Sequence, residues 1–259
     1  MQHPRRLVWL DNSLKYLPYA VIILGAILRI VVYLQNRSLF IDEANIARNI
    51  YERNYFALLL PLRYSQYAPP LYLWVIKIFT NLGGYSEFAF RLYALLAGLV
   101  SLWLLPQLFK QLGIKNAAIY PLVLFATGLV FIRYSSELKQ YMPDVMITLL
   151  LLLMALNNHI SNVSPGKFIL MWLVAGSLAI WASMPAVFVL AGIGGYYITQ
   201  VIKSKAYAKF PGLILIFGIW IAQFAFYYLS ILKPQVHSSY LQTFHEDYFL
   251  FLTPETIKQ

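Results

Sequence analysis

Apolar residues occur along this chain in long, nearly uninterrupted runs, and this pattern predicts helices that cross a membrane. A helical crossing needs roughly 20 consecutive apolar residues. Seven runs approach this length, and they cover residues 16–34, 91–109, 117–132, 145–156, 168–181, 186–202 and 211–232. Basic residues precede the first run and no small-residue cleavage pattern follows it, so we predict a retained anchor. The pattern indicates an all-α, polytopic integral membrane protein of about seven transmembrane helices.

A further apolar run at residues 70–82 is too short for an ordinary crossing. Its helix would measure about 20 Å, against about 30 Å of hydrocarbon, and it contains Lys77. If this run crossed the membrane, the lysines between residues 110 and 209 would lie outside the cell, against the positive-inside bias. We therefore predict a half-helix that does not cross, with outer loops at residues 35–69, 133–144 and 231–259.

The composition excludes most soluble proteins. Apolar residues make up 60% of the chain and charged residues only 12%, whereas soluble domains carry about 25%. The net charge of +10 is scattered between apolar runs and forms no stripe, so nucleic acid is not a predicted partner. Anionic lipid headgroups or lipid-linked phosphates suit this charge better. Without cysteine, the chain has no disulfide and no thiolate metal site.

The first outer loop holds two adjacent acids on a predicted interfacial helix. Residues 38–51 have an amphipathic pattern, with Ser38 as the predicted N-cap. Asp42 and Glu43 then lie in the first turn, where the helix dipole favours their ionised forms. An ionised carboxylate in this position can accept a proton or bind a cation. The loop also contains four arginines, which suit phosphate binding or are solvated surface charges: Arg37, Arg48, Arg53 and Arg63.

A second acidic group is predicted at the outer membrane boundary. Glu137, Tyr141 and Asp144 have helical spacing that places them on one face. Ionisable groups at such depth are functional candidates by default. The structural alternatives are that Asp144 caps a helix after Pro143 and that Glu137 pairs with Lys139 or Arg133.

Arg29 lies inside the first predicted span, where a charge is costly. It either extends to the outer interface or pairs with an acid, Asp144 or Glu87. Arg91 follows Glu87 at helical i, i+4 spacing, and we predict a structural ion pair between them. His237 and His245, with Glu246 and Asp247, are weak metal-site candidates because their spacing matches no common pattern.

Four motifs in order resemble the GT-C membrane glycosyltransferases. They are SLFIDEA at 38–44, APPLY at 68–72, SEFAFRL at 86–92 and YSSELKQY at 134–141. The resemblance is to the family-39-like branch, related to protein mannosyltransferases and including lipid A aminoarabinose transferases. It covers roughly residues 16–230.

The resemblance implies an inverting glycosyltransferase that moves a sugar from a polyprenyl-phosphate donor to a lipid, glycan or protein acceptor outside the membrane. It implies that Asp42 is the catalytic base, with Glu43 beside it, and that Asp144 is the second acidic position. The donor lipid would enter between helices near the half-helix. Beside these catalytic candidates, the predicted substrate-binding residues are Arg48, Arg53, Arg63, Tyr67, Lys77, Arg91, Glu137 and Lys139. No cofactor is firmly implied, and Mg²⁺ or Mn²⁺ at Asp42 and Glu43 is the candidate.

The chain departs from the family pattern in two places. Relatives carry lysine or histidine before the Pro-Pro pair, where this chain has Ala68. Relatives also continue well beyond a point equivalent to Gln259. We expect residues 1–259 to form one transmembrane module, the catalytic half, in a bacterial inner membrane with the site facing outside. The alternative is a non-catalytic polytopic protein, a transporter of lipid-linked sugars or an assembly subunit.

Overall fold

The computed structural model describes residues 6–114, 118–160 and 163–233, with side chains from residue 16 onward. In these ranges all regular secondary structure is helical, which confirms the predicted all-α membrane fold. The helices are α1 (Arg6–Leu34), α2 (Ile41–Glu52), α3 (Pro70–Gly83), α4 (Glu87–Gln111), α5 (Ile119–Thr127), α6 (Leu129–Tyr134), α7 (Tyr141–Asn157), α8 (Pro165–Ala182), α9 (Ala186–Lys203) and α10 (Phe210–Tyr227). Short 3-10 helices cover Ala57–Leu59 and Tyr207–Lys209, and a π-helical stretch covers Tyr228–Leu232.

Five helical segments among the described residues are long and apolar enough to cross a membrane. They are Tyr16–Leu34, Glu87–Gln111, Pro165–Ala182, Ala186–Lys203 and Tyr207–Leu232. Helix α7 is apolar but has only 17 residues, and its apolar part is 145–157. The remaining predicted span, 117–132, is two helices rather than one, because Gly128 is extended between α5 and α6. A Cβ at Gly128 would lie 2.6 Å from the Leu124 carbonyl oxygen, so only glycine fits this break.

Arg29 satisfies the backbone groups that the break exposes. Its side chain is fully buried and donates to the carbonyls of Phe125 (2.7 Å) and Ala126 (3.1 Å), to Gly25 (3.0 Å), and to the Ser135 hydroxyl (3.1 Å). Unpaired carbonyls are costly in a bilayer, and a guanidinium is a compact source of donors for several of them. The prediction that Arg29 extends outward or pairs with Asp144 or Glu87 is therefore wrong.

The connecting segments collect at two opposite ends of the helix bundle. One end, the site pole, contains residues 35–86, 135–140 and 183–185. Its segments are joined by hydrogen bonds such as that from the Leu138 amide to Glu43. The other end, the lysine pole, contains residues 158–160, 163–164 and 203–209, where the Ile160 amide donates to Gln200 (3.1 Å).

Helix α3 begins and ends without crossing the bundle. The Tyr33 hydroxyl at the end of α1 donates to the Phe88 carbonyl at the start of α4 (2.9 Å), so the chain leaves and re-enters the bundle at the same pole. Between these points lie only the polar, 12-residue α2 and the 14-residue α3. A single crossing by α3 would place Phe88 at the opposite end. Helix α3 is therefore the predicted half-helix, and it turns into α4 at Gly84, whose φ of 76° suits glycine.

The start of α2 differs from the prediction. The N-cap is Phe40 and not Ser38, because the Glu43 carboxylate accepts a hydrogen bond from the Phe40 amide (3.0 Å). A glutamate at the third helical position accepts from the amide of the N-cap residue, which is one half of a capping box. The helix consequently begins at Ile41 and keeps Asp42 and Glu43 in its first turn.

The position of α3 is testable by cysteine labelling, because the chain has no native cysteine. In Asn81→Cys, a membrane-impermeant maleimide should react from the extracytoplasmic side of sealed vesicles, since Asn81 is exposed at the site pole. Lys205→Cys, exposed at the lysine pole, is the matched control and should react only from the cytoplasmic side. Reaction of Asn81→Cys from the cytoplasmic side, with Lys205→Cys then reacting from the extracytoplasmic side, would show that α3 crosses.

Candidate active site

The site pole is organised around the buried carboxylate of Glu43, which is 1% exposed. It accepts five hydrogen bonds: from Nε and Nη2 of Arg91 (3.1 and 2.9 Å), Nη1 of Arg37 (3.0 Å), and the amides of Phe40 (3.0 Å) and Leu138 (2.7 Å). These partners belong to α4, the first loop, and the segment after α6. One carboxylate thus fixes three separate parts of the chain relative to each other.

Glu43 is held in its ionised form. Burial is the largest influence on its pKa and raises it, but the Arg91 side chain and the two backbone amides together lower the pKa below its ordinary value. With five donors around two oxygens, the carboxylate has little capacity left for a metal ion or a transferred proton. The geometry favours a positioning role for Glu43.

The predicted ion pair of Arg91 with Glu87 is replaced by this arrangement. Arg91 is 2% exposed, and besides Glu43 it donates to the carbonyls of Arg37 and Ser38. All of these contacts hold α2 against α4. The predicted substrate-binding residue Arg91 is therefore committed to contacts within the protein.

Asp42 points the other way from Glu43 and is accessible, with 59% of its side chain exposed. Lys139 donates to its Oδ2 at 3.2 Å. The guanidinium groups of Arg37 and Arg133 pack on the Phe40 ring, 4.4 and 5.7 Å from its centroid. Because Phe40 lies two residues before Asp42, these three cations surround the start of α2. We call Arg37, Arg133 and Lys139 the cation cluster.

Glu137 holds the cation cluster in place. It is buried and accepts from Nε of Arg133 at 2.6 Å, and Nη2 of Arg37 lies 3.4 Å from the same oxygen. That Nη2 is buried and completes no hydrogen bond among the described residues. The structural alternative predicted for Glu137, a pair with Arg133, is thus observed, and Lys139 turns instead to Asp42.

Three other predicted phosphate ligands lie at the far end of α2. Arg48 and Arg63 form salt bridges with Glu52, at N···O distances of 2.6 and 3.7 Å. The two arginine side chains are exposed, and that of Glu52 is partly exposed. Arg53 donates to the carbonyls of Ala57 (3.1 Å) and Pro61 (2.9 Å). The structure does not bring these arginines to Asp42. Arg37 and Arg133 lie beside Phe40 at the start of α2 instead. Arg37 was among the loop arginines predicted to suit phosphate binding, whereas Arg133 was not a predicted substrate contact.

Lys77 is also engaged in the fold. It is 7% exposed and donates to the Ile50 carbonyl (2.7 Å) in the last turn of α2. A cation at a helix C-terminus stabilises the exposed carbonyls there. Lys77 therefore does not replace the basic residue that relatives carry in the position of Ala68.

Asp144 lies in a second, chemically different environment, in the first turn of α7 and before its apolar part. We call its buried surroundings the Asp144 pocket. Its Oδ1 is buried and makes no hydrogen bond among the described residues. Burial raises the pKa of this carboxyl to about 7, and the neighbouring Ser183 hydroxyl lowers it by less. Burial raises the pKa of the Tyr67 and Tyr141 hydroxyls, and the charge of Asp144 adds to this rise.

Tyr141 connects the two acidic groups. Both Asp42 and Asp144 contribute to the raised pKa of its hydroxyl, after the larger effect of burial. Of the other predicted residues, Tyr67 shares a hydrogen bond with the Tyr227 hydroxyl beside Asp144. Ser183 and Tyr227 were not among the predicted site residues, because their contacts with Asp144 and Tyr67 depend on segments far apart in the chain.

The metal candidates are not supported by a suitable set of ligands. The part of the chain that the structure describes contains no group of three or more histidine or acidic side chains able to hold an ion. Asp42 and Glu43 do not fit a shared divalent cation, because Glu43 is saturated by donors and Asp42 faces an ammonium group. His237, His245, Glu246 and Asp247 lie outside the described residues. The Mg²⁺ or Mn²⁺ dependence stays a prediction.

Comparison with known proteins now decides the family. A family model described as dolichyl-phosphate-mannose-protein mannosyltransferase matches residues 67–228. The chain belongs to this family. It is accordingly a membrane glycosyltransferase of the GT-C type, as its motifs predicted. Searches of curated proteins and of solved structures gave no significant match. The matched region includes Tyr67, Arg91, Lys139 and Asp144, and it begins after Asp42.

The role of Glu43 predicts a large loss of stability in Glu43→Gln. The change removes the charge that compensates buried Arg91, and breaking a buried ion pair typically costs about 3–5 kcal/mol. Chemical denaturation of the purified protein in detergent measures the loss. Glu87→Gln is the matched control and should change stability by less than about 0.5 kcal/mol, as for an ordinary partly exposed position. Equal effects of the two changes would contradict the assignment.

The raised pKa of Asp144 predicts a specific dependence of stability on pH. Its folded-state pKa of about 7 lies above the ordinary value of 3.8, so the protonated carboxyl favours the folded state and this contribution is lost as pH rises through about 7. The melting temperature should therefore fall between about pH 5 and about pH 8 by more in the native protein than in Asp144→Asn. Glu43 does not contribute to this pH dependence, because its lowered pKa keeps the carboxylate ionised over the whole pH range of the experiment. Parallel melting curves for the two proteins would contradict a raised pKa.

Proposed function

We propose that this glycosyltransferase transfers a sugar from a polyprenyl-phosphate donor to an acceptor hydroxyl, with inversion, at the site pole. The observation that carries the proposal is the accessible carboxylate of Asp42 within 3.2 Å of Lys139, beside Arg37 and Arg133. A base and several cations at one surface are what departure of a phosphate from a sugar requires.

In the proposed reaction the acceptor oxygen forms a bond to the anomeric carbon while the bond from that carbon to the phosphate oxygen breaks. Asp42 receives the acceptor proton, and polyprenyl phosphate leaves with the electron pair of the broken bond. Attack opposite the leaving group produces inversion. Because phosphate is a stable anion, no strong general acid is needed.

The cation cluster binds the donor phosphate in this proposal. Arg133 supports the assignment because 65% of its side chain is exposed while Glu137 anchors its Nε. Nη2 of Arg37 is a second donor, because it completes no hydrogen bond among the described residues although it lies 3.4 Å from Glu137. Guanidinium groups bind phosphate through paired hydrogen bonds, and Lys139 adds a point charge. Glu43, Glu137 and Arg91 position these groups, and Arg48, Arg53, Arg63 and Lys77 take no part in the site.

We place the site pole outside the cell. The described lysines of the lysine pole and its adjoining helix ends are Lys110, Lys167, Lys203, Lys205 and Lys209. Cytoplasmic ends of membrane proteins carry such an excess of basic residues. A bacterial inner membrane with the reaction on its outer face fits this orientation, and it gives the enzyme access to lipid-linked sugars exposed at that surface.

Transfer activity tests the proposal directly. Purified protein in lipid nanodiscs is incubated with radiolabelled polyprenyl-phosphate sugars and membrane-lipid acceptors, with and without chelator. Asp42→Asn should lose at least about a hundredfold in rate, the lower range for removal of a general base, while the amount of folded protein is unchanged because Asp42 is exposed. Glu52→Gln, which alters another acid of α2, should keep full activity.

Retained transfer in Asp42→Asn would remove this residue from the mechanism. No transfer by the native protein from any polyprenyl-phosphate sugar would favour the non-catalytic alternative. Loss of activity in chelator, restored by Mg²⁺ or Mn²⁺, would require ligands beyond the Asp42–Glu43 pair.

A further inference from the structure

A lateral groove runs beside the half-helix α3. It has a volume of about 550 Å³ and lies between α3, α8 and α10. Leu71 and Trp74 of α3 form one wall, and Leu178, Trp181 and Phe226 form the other. Its lining residues are mostly apolar, so a lipid chain is a suitable occupant.

The inner end of the groove meets a pair of tyrosine hydroxyls. Trp181, in the wall, packs on Tyr227 with ring centroids 5.2 Å apart. The Tyr227 hydroxyl shares a hydrogen bond with Tyr67. Ser183, the neighbour of Asp144, is the C-cap of α8 and follows Trp181 by two residues. A lipid lying in the groove therefore directs its head group past these tyrosines toward Asp144.

Several polar atoms around Asp144 lack partners. Oδ1 of Asp144 and Oε1 of Gln140 are buried and complete no hydrogen bond among the described residues. The buried Oγ of Ser183 is near enough to the Asp144 carboxyl to lower its pKa, but the two groups do not reach hydrogen-bond geometry. Ser183 is 1% exposed, and Gln140 lies one helical turn before Asp144. Buried polar groups are nearly always paired in folded proteins, so a cluster of unpaired ones indicates a bound group. These atoms include two acceptors and one hydroxyl, which together suit a hydroxyl ligand.

The charges of this end do not suit a phosphate. The residues that line the groove include no lysine or arginine. Among the described residues, the groups that shift the pKa of Asp144 also include no cation. A phosphate placed here would meet a carboxyl group without a compensating charge, and the cation cluster lies instead at the start of α2. A neutral, hydroxylated head group avoids this repulsion.

We propose that the groove and the Asp144 pocket bind the acceptor, a lipid with an uncharged hydroxylated head group, and not the polyprenyl-phosphate donor. Asp144, Ser183 and Gln140 hold the head group by hydrogen bonds, and the chain lies between α3 and α8. The inference rests on the proposed function and specifies its acceptor. It also replaces the expectation that the donor lipid enters beside the half-helix.

Photolabelling distinguishes the two lipids without requiring transfer. The probes are a long-chain alcohol carrying a diazirine in its chain and the phosphate monoester of the same alcohol. Each is irradiated with the intact protein in nanodiscs, and the labelled residues are mapped by mass spectrometry. The alcohol should label α3, α8 and α10 along the groove, and excess phosphate monoester should not displace it.

Variants of the pocket and the groove separate specific binding from general contact with lipid. Ser183→Ala removes one hydrogen bond to the head group, which should weaken competition by unlabelled alcohol about three- to tenfold. Leu178→Trp fills the groove and should abolish its labelling. Leu170→Trp is the matched control, since Leu170 is exposed on the same helix and does not line the groove, and it should leave labelling unchanged.

Preferential labelling of the groove by the phosphate monoester, equal labelling by both probes, or labelling unaffected by both Leu178→Trp and Ser183→Ala would overturn this inference. Because the readout is binding, its result is independent of the transfer assay. Groove labelling by the alcohol in a protein without transfer activity would reject the proposed reaction and retain the lipid site. Transfer activity without such labelling would reject the lipid site and retain the reaction.

Discussion

The fold at the site pole depends on the requirement that a buried carboxylate be fully compensated. Glu43 meets this requirement with five donors from three separate segments. An ion in a poorly polar interior loses its hydration, and only complete replacement of those hydrogen bonds makes the position tolerable. The position of Asp42 follows, because the residue next to a fixed Glu43 on a helix is itself fixed, here on the accessible side.

Arg29 is a buried group of the opposite charge, and it too must have its hydrogen-bonding groups fully compensated. The break at Gly128 leaves carbonyl groups without helical partners inside the membrane region, and the buried guanidinium donates to two of them. Its bond to Ser135 links the break to the segment that carries Glu137 and Leu138. A costly charge in the first span thus supports, through the backbone, the segment that completes the environment of Glu43.

Between these buried charges the site pole contains two regions of different chemistry. The start of α2 combines an exposed carboxylate with three cations, whereas Asp144 has tyrosine and serine neighbours. This difference separates groups that bind an anion from groups that bind a neutral hydroxyl. In a reaction that joins a lipid phosphate-linked sugar to an acceptor, such a separation assigns each substrate its own side.

The sequence by itself determined the helical membrane fold, the half-helix at residues 70–82 and the first-turn position of Asp42 and Glu43, because these features depend on hydrophobic run length, loop charge and local spacing. The sequence did not determine which side chains pair with each other. Glu87 and Glu43 were both available to Arg91, and the local i, i+4 rule favoured Glu87. In the tertiary structure Arg91 pairs with Glu43, because the positive charge of Arg91 stabilises a buried carboxylate far more than one near the surface. Arg37 and Arg133 beside Asp42, and Ser183 beside Asp144, likewise depend on packing between distant helices, which periodicity does not encode.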